Sequence, residues 1–303
     1  MGRYDVKMFV LNNGDVLLYS IDGPDKDNNK YININGYLGD ATTLNIPSSI
    51  DDLPVKKILS NAFENNKTIV DYIFPNTLEV IEKEAFCNSQ IQNLILSAPL
   101  KSIGKYAFDR CYYLKNVSID LDGNDKNESL TIGDHAFSYC HNLTSAKFSK
   151  GIVFKDSSTF AGCISLESVI LPSDIKIIPS VCFENCGNLK SIYLPPSLKL
   201  ICQYAFRDCT SLEYINISKT NVHTIEHQAF LNCENLSFIA FPDSLTHIEK
   251  AAFHNVDVQK LKVKCKKDSY AEKWAKDEGY LLAEPKIDKF LNLISDTKDE
   301  KTP

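Results

Sequence analysis

Phenylalanine recurs along this chain at positions 63, 86, 108, 137, 160, 183, 206, 230 and 253, at intervals of 23, 22, 29, 23, 23, 23, 24 and 23 residues. Self-similarity at a period of about 20–50 residues marks stacked repeat units, and it overrides any reading in terms of separate compact domains. Further columns keep step with the Phe. Ala precedes it in seven of nine copies, and the exceptions, Thr159 and Cys182, are also small. Three residues after it stands Cys in six consecutive copies: Cys111, Cys140, Cys163, Cys186, Cys209 and Cys233. Six residues after it comes Ile69, Leu114, Leu143, Leu166, Leu189, Leu212 or Leu236, with Ile91 and Val258 one place early.

The rest of each unit alternates. The run Leu189–Lys190–Ser191–Ile192–Tyr193–Leu194–Pro195 puts Leu189, Ile192 and Leu194 on one side, which predicts a short strand. Pro75, Pro172, Pro195 and Pro242 close such strands, because proline has no N–H for a ladder. About six residues later an Ile turns inward again: Ile81, Ile103, Ile132, Ile178, Ile201, Ile225 or Ile248. The Ala-Phe pair then begins a turn or short helical segment on the opposite wall. One coil cannot bury both walls alone, whereas a stack merges the columns into one elongated core. The expected fold class is α/β: a single solenoid of about ten coils with a parallel, strand-lined face. The first coil, Leu44 to Phe63, is degenerate.

Three segments follow. Residues 1–43 are expected to cap the N-terminal end, with a β-hairpin of Val6–Leu11 and Val16–Ile21 around Asn12-Asn13-Gly14, then a loop from Asp22 to Lys30. Residues 44–265 hold the repeats. Residues 266–303 hold a helix from Tyr270 to Glu278, whose Trp274 would cover the last coil, and a tail with a second short helix at Ile287–Ile294. The 29-residue interval carries extra residues around Asp120-Leu121-Asp122-Gly123-Asn124-Asp125, partly like a calcium loop but without its terminal Glu spacing. It reads as a polar loop.

Composition narrows function. Lys and Arg number 33 against 39 Asp and Glu, a net charge of −6, which opposes general nucleic-acid binding. Met1 to Ser20 contains no signal-peptide apolar region, and no stretch approaches the length of a membrane span. His223-Thr224-Ile225-Glu226-His227 matches a zinc-peptidase pattern that requires a helix. Ile225, however, belongs to the inward Ile column, so the segment reads as a repeat loop. Cys182 and Cys186 occupy repeat slots and read as packing residues, as do the six ladder cysteines. Cys87, Cys202 and Cys265 lie outside the ladder and are the candidates for reactivity. No residue set calls for a metal or cofactor.

The pattern Leu-x-x-Ile-x-Leu-Pro, then Ile, then Ala-Phe-x-x-Cys-x-x-Leu, running from about Leu44 to Val263, resembles the BspA-type leucine-rich repeat. Ile46-Pro47-Ser48-Ser49-Ile50 through Val55 resembles that family's first unit, and Ser269-Tyr270-Ala271-Glu272 through Tyr280 its terminal unit. The resemblance implies a leucine-rich repeat fold and no catalytic residues. It also implies a surface or secreted protein that binds host or matrix proteins, although no signal peptide is visible.

The informative surface is then the strand face. Two outward columns are expected there. One reads Asp71, Asn116, Ser145, Ser168, Ser191, Tyr214 and Phe238, and its neighbour Ile73, Ser118, Lys147, Ile170, Tyr193, Asn216 and Ala240. The shortened coils place Asn93 and Ile95, then Lys260 and Lys262, in these columns. Aromatics beside basic residues are typical interface anchors, so Ile170, Tyr193, Tyr214, Phe238, Lys260 and Lys262 are the expected ligand-binding residues. The leading expectation is a non-enzymatic module that binds a protein or peptide. A carbohydrate-binding adhesin using the same aromatics as stacking platforms is the alternative, and an enzyme at His223–His227 ranks third.

Overall fold

In the computed structural model, residues 5–26, 28–97, 99–121 and 129–283 are described. The expected second helix at 287–294 and most of the polar loop at 120–125 lie outside them. The chain winds into a β-solenoid of about 11 turns with parallel strands. Each coil has three walls rather than two, because the inward Ile column also sits on strands.

The first wall carries the Leu-x-x-Ile strands. Asn93–Leu96, Asn116–Ile119, Ser145–Phe148 and Ser168–Ile170 pair in parallel and in step, as do Tyr214–Asn216, Phe238–Ala240, Lys262–Lys264 and Leu281–Leu282. Between the two groups the predicted strand Leu189–Pro195 is reduced to one bridge, Ser191 with Tyr214. Its alternation survives, with Leu189, Ile192 and Leu194 buried and Tyr193 outward. This coil differs from its neighbours in carrying a second proline, Pro196, directly after the one that closes the strand. Elsewhere proline turns the corner: the carbonyls of Pro75, Pro172, Pro195 and Pro242 accept from Leu78, Ile175, Leu198 and Leu245 at 3.0–3.3 Å. Those four residues are buried, so a proline-plus-three column joins the core.

The second wall consists of short parallel strands such as Val80–Ile81, Ser102–Ile103 and Leu130–Ile132, each with its Ile buried. At the N-terminal end three longer strands extend it. β1 (Lys7–Val10) and β2 (Val16–Asp22) form the antiparallel hairpin, and β3 (Tyr31–Leu38) pairs antiparallel with β2 and parallel with Leu53–Ile58. The N-terminal segment is therefore continuous with the solenoid sheet.

The third wall is turns, not helix. Residues two before and two after each repeat Phe have positive φ in all nine coils, from 53° at Gln228 to 73° at Gly162. Left-handed backbone at both places prevents i→i−4 bonding, which rules out the short helix considered from sequence. The wall is instead laced coil to coil. In the coils of Phe63 through Phe230, the N–H groups of the Phe and of its two left-handed neighbours donate to carbonyls of the next coil at 2.7–3.2 Å, Gln228 alone excepted. Left-handed backbone costs roughly 1–2 kcal/mol per residue, and it persists because the ladder on either side holds it.

The nine Phe rings fill the centre as one stack, with neighbouring centroids 4.9–5.7 Å apart and planes within 13° of parallel. Helix α1 (Tyr270–Asp277) closes the C-terminal end of the stack. Ser269 caps it by accepting from the Glu272 N–H, Ala271 and Ala275 are buried, and the Trp274 ring lies 5.2 Å from that of Phe253. No helix among the described residues is long and apolar enough to cross a membrane.

Candidate functional site

The first wall sets two outward columns at right angles to the strands. Register gives the first as Asn93, Asn116, Ser145 and Ser168, and, beyond the break, Ser191, Tyr214, Phe238 and Lys262. Its N-terminal half is a polar side-chain ladder. Asn116 Nδ2 donates to Asn93 Oδ1 at 3.0 Å, and Ser145 Oγ donates to Asn116 Oδ1 at 2.7 Å. Its C-terminal half turns aromatic, then basic. The second column runs Ile95, Ser118, Lys147 and Ile170, and later Asn216, Ala240 and Lys264, with Tyr193 on the intervening coil.

The expected residues are brought together unevenly. Tyr193 is 49% exposed and Ile170 43%, so both present apolar atoms at the surface. Tyr214 and Phe238 face each other across adjacent coils but are half-buried, each shielded on the strand by its neighbour. Ala240, expected outward, is fully buried, because a lone methyl between Asn216 and Lys264 does not reach the surface.

The last coil also corrects the placing of the lysines. Val258 does not fill the Leu slot; it is exposed, and Leu261 is buried instead. A turn at Val258–Lys260 lengthens this coil rather than shortening it. Lys262 thus stands in the first column opposite Phe238, and Lys264 in the second opposite Ala240. Lys260 lies before the strand, where its Nζ donates to Asn235 Oδ1 at 3.0 Å.

Sequence reasoning missed a second exposed aromatic group, on the turn wall. Arg110 lies over the Tyr139 ring at 5.8 Å, and His141 sits 5.0 Å from Tyr112 and 6.3 Å from Tyr139. Tyr139 lies close against Gly162 of the next coil, where any Cβ would collide with the ring. Reading the residues two and four after each Phe across neighbouring coils would have found this group.

The segment His223–His227 does not adopt the conformation that the zinc-peptidase pattern requires. Thr224–Ile225 is a strand, so His223 and His227 do not share a helix face. His227 Nδ1 lies 3.0 Å from the Lys250 carbonyl, and Glu226 Oε2 accepts from the Gln203 N–H at 2.9 Å. No group of three or more His, Cys, Asp or Glu among the described residues is arranged to hold a metal ion. Burial pushes Cys111 and Cys163 up to about 12, and half-buried Cys87 and Cys202 up to about 11, which leaves these thiols protonated at neutral pH. Two clefts of about 360 Å³ open at the ends, one beside Phe9 and Leu44, the other beside Phe253 and Trp274.

Stacked coils with a strand-lined wall define a repeat-solenoid class of protein. Six copies of the BspA type leucine rich repeat region match residues 37–155 and 130–262, and the chain belongs to that family. No curated protein matches it. Among solved structures, it is similar to a leucine-rich repeat protein of Bacteroides ovatus at 20% identity, with a TM-score of 0.51 over 82% of this chain and 78% of that one. It is similar also to a leucine rich cell surface protein of Faecalibacterium prausnitzii at 19% identity (TM-score 0.37, 80% of this chain and 94% of that one). The pneumococcal vaccine antigen PcpA matches at 19% identity (TM-score 0.43, 86% and 81%). At such identities the first of these likenesses speaks to fold alone.

Proposed function

We propose that this chain is a non-enzymatic recognition module that binds a protein or peptide ligand on its first wall, in the manner of an adhesin at the cell surface or secreted. The observation that carries this reading is the in-register run Ser191, Tyr214, Phe238 and Lys262, with exposed Ile170 and Tyr193 in the adjoining column. Rigid stacked strands present such a surface with little ordering cost on binding. Tyr and apolar anchors beside Lys supply burial and orientation together. The contact set is Ile170, Tyr193, Tyr214, Phe238 and Lys262, with Lys260 at its border. In this reading residues 1–43 cap one end, residues 44–265 form the binding array, and residues 266–303 hold the C-terminal helical cap and the tail.

The test is binding of the purified chain to an immobilised panel of extracellular-matrix proteins, with a glycan array run in parallel. Saturable binding to a protein, lost on changing Tyr193, Tyr214 and Phe238 to Ser, is expected. Binding confined to glycans would replace the protein ligand with a carbohydrate one, for which the same rings would serve as stacking platforms.

A further inference from the structure

The outer face of the N-terminal hairpin breaks the usual rule for a sheet that meets water. Register places Met8 beside Leu18 and Gly36, and Val10 beside Val16 and Leu38, while Val6 continues the β1 row. No charged or hydrogen-bonding side chain occurs in that set. Met8 is 70% exposed and Val10 65%, and Val6 and Leu38 are also exposed. The inward face of the same strands is accounted for: Leu17 and Tyr19 are buried, and Phe9 packs on the core. Antiparallel sheets normally turn polar residues outward, and contiguous exposed apolar surface marks an interface.

Among the described residues β1 is also an open edge, since it ends the strand order of its sheet. Native edges are ordinarily protected by charge, proline or a bulge. Here only Lys7 carries charge within the strand, and it lies on the opposite face from Met8. The phase of the hydrogen bonds is fixed by the turn, where the Leu11 N–H donates to the Asp15 carbonyl. Alternation then aims the main-chain groups of Lys7 and Phe9 at β2, and those of Val6, Met8 and Val10 away from it.

We infer that β1 pairs antiparallel with β1 of a second copy of this chain, about a two-fold axis through Met8. Only residues with outward main-chain groups can exchange hydrogen bonds across such an axis. The register centred on Met8 meets that demand at every pair: Met8 with Met8, and Val6 with Val10 in both directions. The same register brings all six of these side chains onto one face as cross-strand apolar neighbours. A two-fold interface must be self-complementary, and this edge is. Its size sets the strength. One short strand and three apolar side chains from each copy bury on the order of 1,000 Å² in total, the low end for a specific interface, so the dimer is weak, with Kd roughly 10–100 µM. Two joined copies would present two first walls together and gain avidity on a multivalent ligand.

The test is sedimentation equilibrium of the full chain from about 1 to about 200 µM, alongside a Met8→Lys, Val10→Lys double variant. A reversible monomer–dimer equilibrium is expected for the unaltered chain. The variant should stay monomeric throughout with its Tm within about 2 °C, since both side chains are exposed. Should the variant misfold, amide exchange of the unaltered chain decides: Met8 and Val10 are expected to gain protection as concentration rises. A monomer at about 200 µM, a dimer indifferent to the double change, or amide exchange at Met8 and Val10 independent of concentration would overturn the inference.

Discussion

The Cys209 thiol donates to the main-chain carbonyl of Phe183, one coil earlier, at 3.1 Å. That carbonyl also accepts from the Cys186 N–H of its own coil at 3.2 Å, so both of its lone pairs are used. The same link joins Cys111 to Phe86, Cys140 to Phe108, Cys163 to Phe137, Cys186 to Phe160 and Cys233 to Phe206, at 3.1–3.4 Å. The column is therefore a hydrogen-bonded seam beside the Phe stack. Cysteine suits it because a thiol is small, apolar enough to bury, and still a weak donor.

The seam makes stability fall in alkali. Burial raises the folded Cys111 and Cys163 thiols from an ordinary 9.0 to about 12, and raises Cys140, Cys186, Cys209 and Cys233 as well. Above about pH 9 the unfolded chain loses thiol protons that the folded chain keeps. The stabilisation is thus complete below pH 9 and is lost as pH rises toward 12, by up to about 1.4 kcal/mol per thiol per pH unit. Thermal melts between pH 8 and 11 should show a steep fall in Tm, shallower in a Cys163→Ser, Cys209→Ser variant. Equal slopes would remove the thiols as its cause.

All ten cysteines are free. Denatured, non-reduced protein should titrate close to ten thiols, and fewer than eight would contradict a reduced ladder. Folded protein at neutral pH should react slowly even at Cys87 and Cys202, which burial holds near 11.

Val181 has φ of 62°. A β-branched side chain is strained in left-handed backbone, and other coils place Asn61, Ser158 or Gln228 at this slot. Val181→Asn should stabilise the fold by about 1 kcal/mol, read as a higher urea midpoint at unchanged slope. A loss of stability would mean that Val181 packing outweighs the strain.

Tyr72 stands in the inward column of Leu94 and Val117, with its ring packed edge-on against Phe63 and Phe86. Its buried hydroxyl has no hydrogen-bond partner among the described residues. An unpaired buried hydroxyl costs roughly 1–3 kcal/mol. Tyr72→Phe should leave the ring contacts and raise Tm, and a marked drop would show that the hydroxyl is satisfied.

Much of this architecture can be read from residue types, because each column answers to one burial demand. Phe, Cys, Leu and Ile recur where a coil must meet its neighbour, so periodicity reveals the stack. The third wall was hidden because left-handed backbone there is imposed by the interlocking coils, not by residue preference: Glu84, Tyr106, His135 and Val181 all adopt it. The second strand wall was hidden because beyond Leu53–Ile58 its strands are two or three residues long, too short for alternation to show. On the first wall the order of columns was legible, but the lysine register was not. Counting from Phe253 could not reveal that the Val258–Lys260 turn adds length before Leu261.

Binding by the first wall is the central claim, and the triple change Tyr193→Ser, Tyr214→Ser, Phe238→Ser tests it most directly. Surface plasmon resonance against a matrix protein bound by the unaltered chain should show at least a hundredfold weaker Kd, since central aromatic anchors contribute about 2 kcal/mol or more each. Tm should move by only a few degrees, because Tyr193 is on the surface and the other two are half-buried. Unchanged affinity in a folded triple variant would contradict the account and move the site off this wall.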